Sequence, residues 1–440
     1  MTDFSPFEPS LWYATACEAP QTQSLNEEIA CDVCIVGAGY TGLTTAIELS
    51  RRGVSVSVVE AREAGFGGSG RNAGHCTPTF AFLSLDQVRG HLGAERARRL
   101  IARQTGGADL AADYIRTYQI SCEWKQNGFF QGILCPSQRA GLEAKCNGYA
   151  AAGCPSEMVD AAEAQRLTGS PRFLGGWMLR SGGHLNPLGY ARGLARAAMQ
   201  EGARIFTDTP MQELVREGSR WRVRTPGGSV LADRVIVATG AYTQGGGTGV
   251  ERSYRILRAL IAATNPLPAE ARRRIVPFDG TMHDGRGDIF VYKYDAAGRI
   301  VASMFPMGRR GRDLDYTREM FLDRLRWLHP DLPADTRWDF YWSGELDMQR
   351  HTIPRLYDLG PGAVACTGLS GRGVPTGTML GGILADWAQG TAEPDLALPV
   401  EPLRSAPAYM AIAPAMMLRW YRFRDRLAAR RNGSALPPHA

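Results

Sequence analysis

Two stretches of this chain have residue types and spacings suited to a definite chemistry: GAGYTG at 37–42 and, far downstream, GLSGRGVPTGT at 368–378. The first carries G-x-G-x-x-G, and an acid, Glu60, follows at the distance at which a ribose hydroxyl is met. Each glycine has a task. Gly37 permits a tight turn, Gly39 lets the backbone approach a pyrophosphate, and Gly42 lets a helix pack closely on a strand. Ala38, Tyr40 and Thr41 complete the loop, and Ala61 and Arg62 follow the acid. A carboxylate at position 60 accepts from ribose hydroxyls, which argues against a 2′-phosphate and hence against NADP. The second stretch lacks G-x-x-x-x-G-K-[ST], so it is not a nucleotide-triphosphate loop. Feeding a helix N-terminus, it would set backbone N–H groups against an anionic or electron-accepting ring edge, with Gly371, Arg372, Gly373, Val374 and Thr376 as the contacts.

The elements that must hold these loops follow from hydrophobic pattern. VCIV is a short apolar run suited to a buried parallel strand, LTTAIELSRRG a helix closed by Gly53, and VSVSVVE a second strand. SGRNAGHC (69–76) then sets small residues beside Arg71 and Asn72, as close approach of the backbone to a large ligand requires. Ser69, Gly70, Arg71, Asn72, Ala73 and Gly74 therefore join the cofactor contacts. Residues 181–207 read as loop, helix and strand, a further crossover unit on the same sheet, with Met211 just beyond it. WRVRT and GSVLAD form a hairpin about Pro226, Gly227 and Gly228, and RVIVATGAYT is a buried strand entering a turn at which Ala238, Thr239 and Gly240 touch the cofactor. The helix of the second loop is expected to start near Thr376. NAD and FAD both fit the first unit; segments that keep returning to one sheet favour the larger ligand.

Composition narrows the rest. A chain of 440 residues exceeds one ordinary core, so two to three domains or one large domain with insertions is expected. The net charge of +6 is scattered rather than striped among aromatics, so no nucleic-acid partner is expected. Cys31 and Cys34 lie in a strand, where residues three apart point to opposite faces, so no metal site is expected and the nine cysteines read as buried thiols in a reducing compartment. MTDFSPFEPS lacks the basic and apolar regions of a signal peptide, and no run of about 18 apolar residues occurs, so a cytoplasmic location is expected. The tail 406–431 pairs an apolar half, interrupted by Pro407 and Pro414, with an arginine-rich half. It reads either as a helix docked on the body or as an interfacial membrane helix.

SLWYATA (10–16), CDVCIVGAGYTGL, FGGSGRNAGH (66–75), GGHLNPLGY (182–190), VIVATGAYT and GLSGRGVPTGTMLGG together resemble the glycine/D-amino-acid oxidase superfamily of FAD-dependent oxidoreductases, in its gamma-glutamylputrescine oxidase-like branch. The resemblance spans roughly residues 10–425. It implies an α/β fold (α+β overall), with a Rossmann-like FAD-binding domain assembled from 25–80, 180–248 and 345–400 and a mixed-sheet substrate domain from 81–179 and 249–344, before a helical tail at 401–440. It also implies oxidation of a C–N bond in a small amine or amino acid: hydride passes to flavin N5, and the imine hydrolyses to a carbonyl and an amine or ammonia, with oxygen as acceptor. Two other readings stay open: a dehydrogenase of the same fold that passes electrons to a quinone or carrier, and a flavin-binding protein without catalysis.

For such a reaction the cofactor supplies the reactivity and the protein supplies position. Tyr292 and Lys293 are candidates because their strand resembles the family strand facing the flavin; alternation sets Tyr292 and Tyr294 on one face and Lys293 on the other, and a core reading of the tyrosines with a solvated lysine stands beside this. Trp342 is a candidate pocket wall and His75 a candidate near the flavin. FAD is expected to be held without a covalent bond. The family's linking histidine falls near Asn72 and its linking cysteine near Met348, and neither side chain can bond to the ring.

Overall fold

The computed structural model describes residues 10–305, 314–434 and 436. Among them, Glu28–Val36 ends in four consecutive buried residues, as a strand does when helices cover both faces of a parallel sheet. It pairs in parallel with Val56–Val59 on one side and Ser229–Val237 on the other. The sheet continues to Arg204–Phe206 beyond the first neighbour, and to Ala363–Thr367, Arg355–Gly360 and Val400–Pro402 beyond the second. Its strands thus come from separated stretches of chain, in the doubly wound, Rossmann-like manner. RVIV and GSVLAD are one continuous strand, not two: Ser229–Val237 pairs antiparallel with Arg220–Arg224 along its first half while running parallel to Glu28–Val36.

The second sheet is mixed and has eight strands among the described residues. The hairpin Phe290–Tyr294 and Ile300–Met304 lies at its middle, and Trp338–Met348 forms one edge against Arg255–Thr264. The overall class is α/β with a mixed-sheet second layer.

Helix Tyr40–Arg51 follows the first glycine loop, and its C-terminal residues pass into Gly53 at φ +78°. Helix Gly373–Ala388 follows the second, and starts three residues before Thr376. Pro375 lies in its first turn, where a missing N–H costs no intrahelical bond. Pro414 behaves likewise: it sits in the first turn of helix Ala413–Asn432 and does not interrupt it. The two loop helices lie against each other, and Thr44 Oγ1 donates to the Gly377 carbonyl at 3.3 Å. The tail helix is docked on the loop after Thr281–His283, where Asp425 accepts the Gly287 N–H at 3.0 Å and Arg422 Nε donates to Asp288 at 2.8 Å.

Candidate active site

Both glycine loops open into one cavity of about 1150 Å³, above the ~300–1,000 Å³ of most small-ligand pockets. Residues 37, 39–41, 60–62, 69, 72–73, 211, 238–240 and 371–374 line it, so most of the sequence-expected cofactor contacts share one wall system. Ala38, Gly42, Gly70, Arg71, Gly74 and Thr376 stand outside that lining, and the structure gives each a supporting task. A Cβ on Gly42 would lie 2.0 Å from the Gly37 carbonyl oxygen, one on Gly70 2.4 Å from that of Gly65, and one on Gly74 2.1 Å from that of Leu185. These are close-packing glycines. Ala38 donates its N–H to Glu60 at 2.8 Å, Arg71 Nε donates to the Phe66 carbonyl at 3.0 Å, and Thr376 donates to Gln104 at 3.0 Å.

The residues present fit a dinucleotide. Gly37, at φ +107°, leaves no room for a side chain, because a Cβ would meet the Ala238 carbonyl oxygen at 2.9 Å. Glu60 lines the cavity while its two oxygens accept N–H bonds from Ala38 (2.8 Å) and Arg62 (3.0 Å), with the Ala61 N–H a further donor. A carboxylate has about four acceptor sites, so capacity remains for ribose hydroxyls. Burial raises its pKa from the ordinary value, and the backbone donors work against that rise. The N-termini of helices Tyr40–Arg51 and Gly373–Ala388 both reach the cavity, so two positive helix ends face a ligand placed there.

The four catalytic candidates that the sequence offers separate in the structure. His75 lines the cavity; both its ring nitrogens are inaccessible and have no hydrogen-bond partner among the described residues. Burial, then the cations Lys293 and Arg372, push its pKa far below the ordinary imidazole range, so the ring is neutral. Tyr292 is fully buried in the core of the second sheet, with its hydroxyl 2.8 Å from His329 Nε2. Lys293 is buried rather than solvated: its ammonium donates to the Leu185 carbonyl at 3.0 Å, stands 4.8 Å from the Trp12 ring centre, and is brought down to about 8 by burial. Trp342 donates to the Arg71 carbonyl at 2.8 Å and meets Trp12 edge-on. Tyr292, Lys293 and Trp342 therefore support the wall from behind.

Sequence reasoning missed the charged residues of the far wall. Arg286 lines the cavity at 2% exposure, and its Nε bonds Asp288 at 3.2 Å, yet Nη1 and Nη2 are buried with no hydrogen-bond partner among the described residues. The neighbouring acids are already engaged: Arg324 donates to Asp284 and Asp288, and Arg422 to the second oxygen of Asp288. Lys145 lies on the same wall, 4.8 Å from the Trp177 ring centre, and burial followed by Arg372 lowers its pKa to about 7. The tail helix adds Tyr421 and Arg424. The signal that could have found Arg286 is its setting, GRG between two short strands, and Lys145 is one of only three lysines.

The chain belongs to the DAO family of FAD dependent oxidoreductases, whose model matches residues 32–387. It is 30% identical over 424 residues to gamma-glutamylputrescine oxidoreductase of Escherichia coli (strain K12), covering 95% of this chain and 98% of that one. It is 29% identical to the probable oxidoreductase OrdL of Rhizobium meliloti (strain 1021), covering 97% and 100%. Two solved structures share the fold: L-amino acid deaminase from Proteus myxofaciens, at TM-score 0.69 and 16% identity over 86% of this chain and 93% of that one, and glycine oxidase from Geobacillus kaustophilus, at 0.67 and 19% over 88% and 98%. The protein is thus an FAD-dependent oxidoreductase of the amine and amino-acid type.

Proposed function

We propose that this enzyme is an oxidase acting on the C–N bond of an amine that also carries a carboxylate, with oxygen as acceptor. The observation that carries the substrate class is Arg286, a residue of the cavity lining whose two terminal nitrogens are buried and partnerless among the described residues. A buried guanidinium edge without an acceptor is costly, and a bidentate carboxylate is its best match. A gamma-glutamyl amine, the substrate type in the Escherichia coli relative's name, has both groups.

FAD, held by the two glycine loops and Glu60, would supply the hydride acceptor. The protein's part is to bind and orient. Arg286 fixes the carboxylate, Lys145 adds a second positive charge below about pH 7, and the neutral His75 ring lines the cavity without adding charge. The flavin is held non-covalently. Asn72 spends its amide on the Gly68 and Ser69 carbonyls and the Gly74 N–H, and Met348 is buried.

The test is anaerobic titration of the yellow protein with gamma-glutamyl amines, polyamines, N-methyl amino acids and D-amino acids, followed by oxygen uptake. Carboxylate-bearing amines should bleach the flavin at far lower concentration than plain polyamines. Equal bleaching by putrescine would overturn the substrate class, and bleaching that oxygen fails to reverse but a quinone does would overturn the oxidase assignment.

A further inference from the structure

We infer that the outer face of helix Ala413–Asn432 is a docking surface for a bilayer rich in anionic phospholipid. The helix is two-sided. Leu418, Asp425 and Ala429 are buried against the body, where Asp425 holds the Gly287 N–H. On the opposite side Met416 (59%), Trp420 (59%), Phe423 (56%) and Leu427 (38%) are exposed, and Ile412 continues them at the N-cap. At ~100° per residue those four fall within roughly 60° of arc. Scattered exposed apolar residues need no explanation, but a continuous stripe on one helix marks a contact surface.

Charge identifies the occupant. Arg419 and Arg430 border the stripe on one side and Arg431 on the other, all exposed, while Arg424 turns to Tyr421 and Asp425 at the cavity. The helix has one acid, Asp425, and it is on the docked side. An apolar stripe flanked by arginines suits a helix lying in a membrane surface: apolar side chains enter the acyl boundary and arginine stems extend to the phosphates. A second copy of the chain is a poor match, because two such faces would set arginine against arginine. Contact is at the surface only, since no helix among the described residues is long and apolar enough to cross a membrane.

The experiment sediments the full-length, flavin-loaded protein with vesicles of phosphatidylcholine alone and of phosphatidylcholine mixed with phosphatidylglycerol. Strong pelleting with the mixed vesicles and little with phosphatidylcholine alone are expected. Replacing Arg419, Arg430 and Arg431 together by serine should weaken binding on the order of a hundredfold, as three cations at about 1 kcal/mol each near an anionic surface give. The Trp420→Glu, Phe423→Glu double variant should release the protein while substrate-dependent flavin reduction persists, which shows that it is folded; Met416→Gln with Leu427→Gln is the milder check. The inference is overturned by pelleting no greater than without vesicles, by equal binding to both compositions, by undiminished binding in the double variant, or by a dimer or a captured acidic protein that Trp420→Glu releases in place of lipid.

Discussion

Gly381 of helix Gly373–Ala388 lies so close to Thr44 of helix Tyr40–Arg51 that a Cβ on the glycine would stand 2.4 Å from the threonine hydroxyl oxygen. The two helices whose N-termini reach the cavity are thereby held at one separation. Gly381→Val should force them apart, costing about 1–3 kcal/mol or more of stability and much of the bound flavin. Gly90→Ala, in helix Leu85–Leu92 with nothing near its Cβ, should instead gain about 0.5–1 kcal/mol. Thermal midpoints and flavin content of the two purified variants decide the matter; similar values in both would refute the spacing role.

Gly39→Val and Gly42→Val should both yield largely flavin-free protein, for different reasons. A side chain at 39 meets Ser69 Oγ at 2.9 Å on the cavity wall, whereas one at 42 meets the Gly37 backbone at 2.0 Å. Glu60→Gln should weaken FAD by roughly 1–3 kcal/mol through loss of a charged acceptor. Flavin affinity by fluorescence recovery measures each, and an unchanged value in Glu60→Gln would remove the ribose role from that carboxylate.

Arg286→Met should raise KM for a carboxylate-bearing amine far more than it lowers kcat, with little effect on a polyamine. The same experiment across pH tests Lys145. Its proton is lost as pH rises through about 7, so inhibition by glutarate should weaken above that point in the wild type and be flat in Lys145→Met. A parallel pH profile in the two proteins counts against a role for that ammonium.

Asp347 lines the cavity and accepts the Gly368 N–H at 2.5 Å, with further backbone donors at 370 and 369. Burial raises its pKa from 3.8 to about 6, so the folded state holds the proton more firmly than the unfolded state. Its contribution to stability therefore declines as pH rises from about 4 to about 6, and the cost is complete above that window. Urea midpoints of wild type and Asp347→Asn should converge at the acid end of this interval and separate toward its upper end in favour of the variant; a constant difference would contradict the assignment.

Acid precipitation checks the mode of flavin attachment. Yellow colour should pass to the supernatant; colour kept in the pellet by wild type and lost in His75→Ala would show a covalent link through that histidine.

The first glycine unit was readable because its tasks are local: a turn, a close backbone approach and an acid at a strand end all lie within 33 residues, from 30 to 62. The second loop's partnership with it was readable only as a guess about a helix N-terminus, since the glycine–threonine contact that fixes it joins residues more than 300 positions apart. The far wall was not legible. Arg286 is one of many arginines, and what distinguishes it is that Arg324 and Arg422 occupy the neighbouring carboxylates, a fact of packing. Lys293 misled in the other direction: alternation correctly separates it from the tyrosines, but its surroundings are Trp12 and the Leu185 carbonyl rather than water.

The loop that carries Arg286 is tied at Gly287 and Asp288 to helix Ala413–Asn432. In the order of biosynthesis the cofactor loop at 37–42 leaves the ribosome early, whereas this wall cannot be fastened until the C-terminal helix has emerged. A nascent chain can thus bury its first strands and helix long before this wall of the cavity is complete, and a product stalled or clipped before residue 413 would leave one side of the cavity untethered.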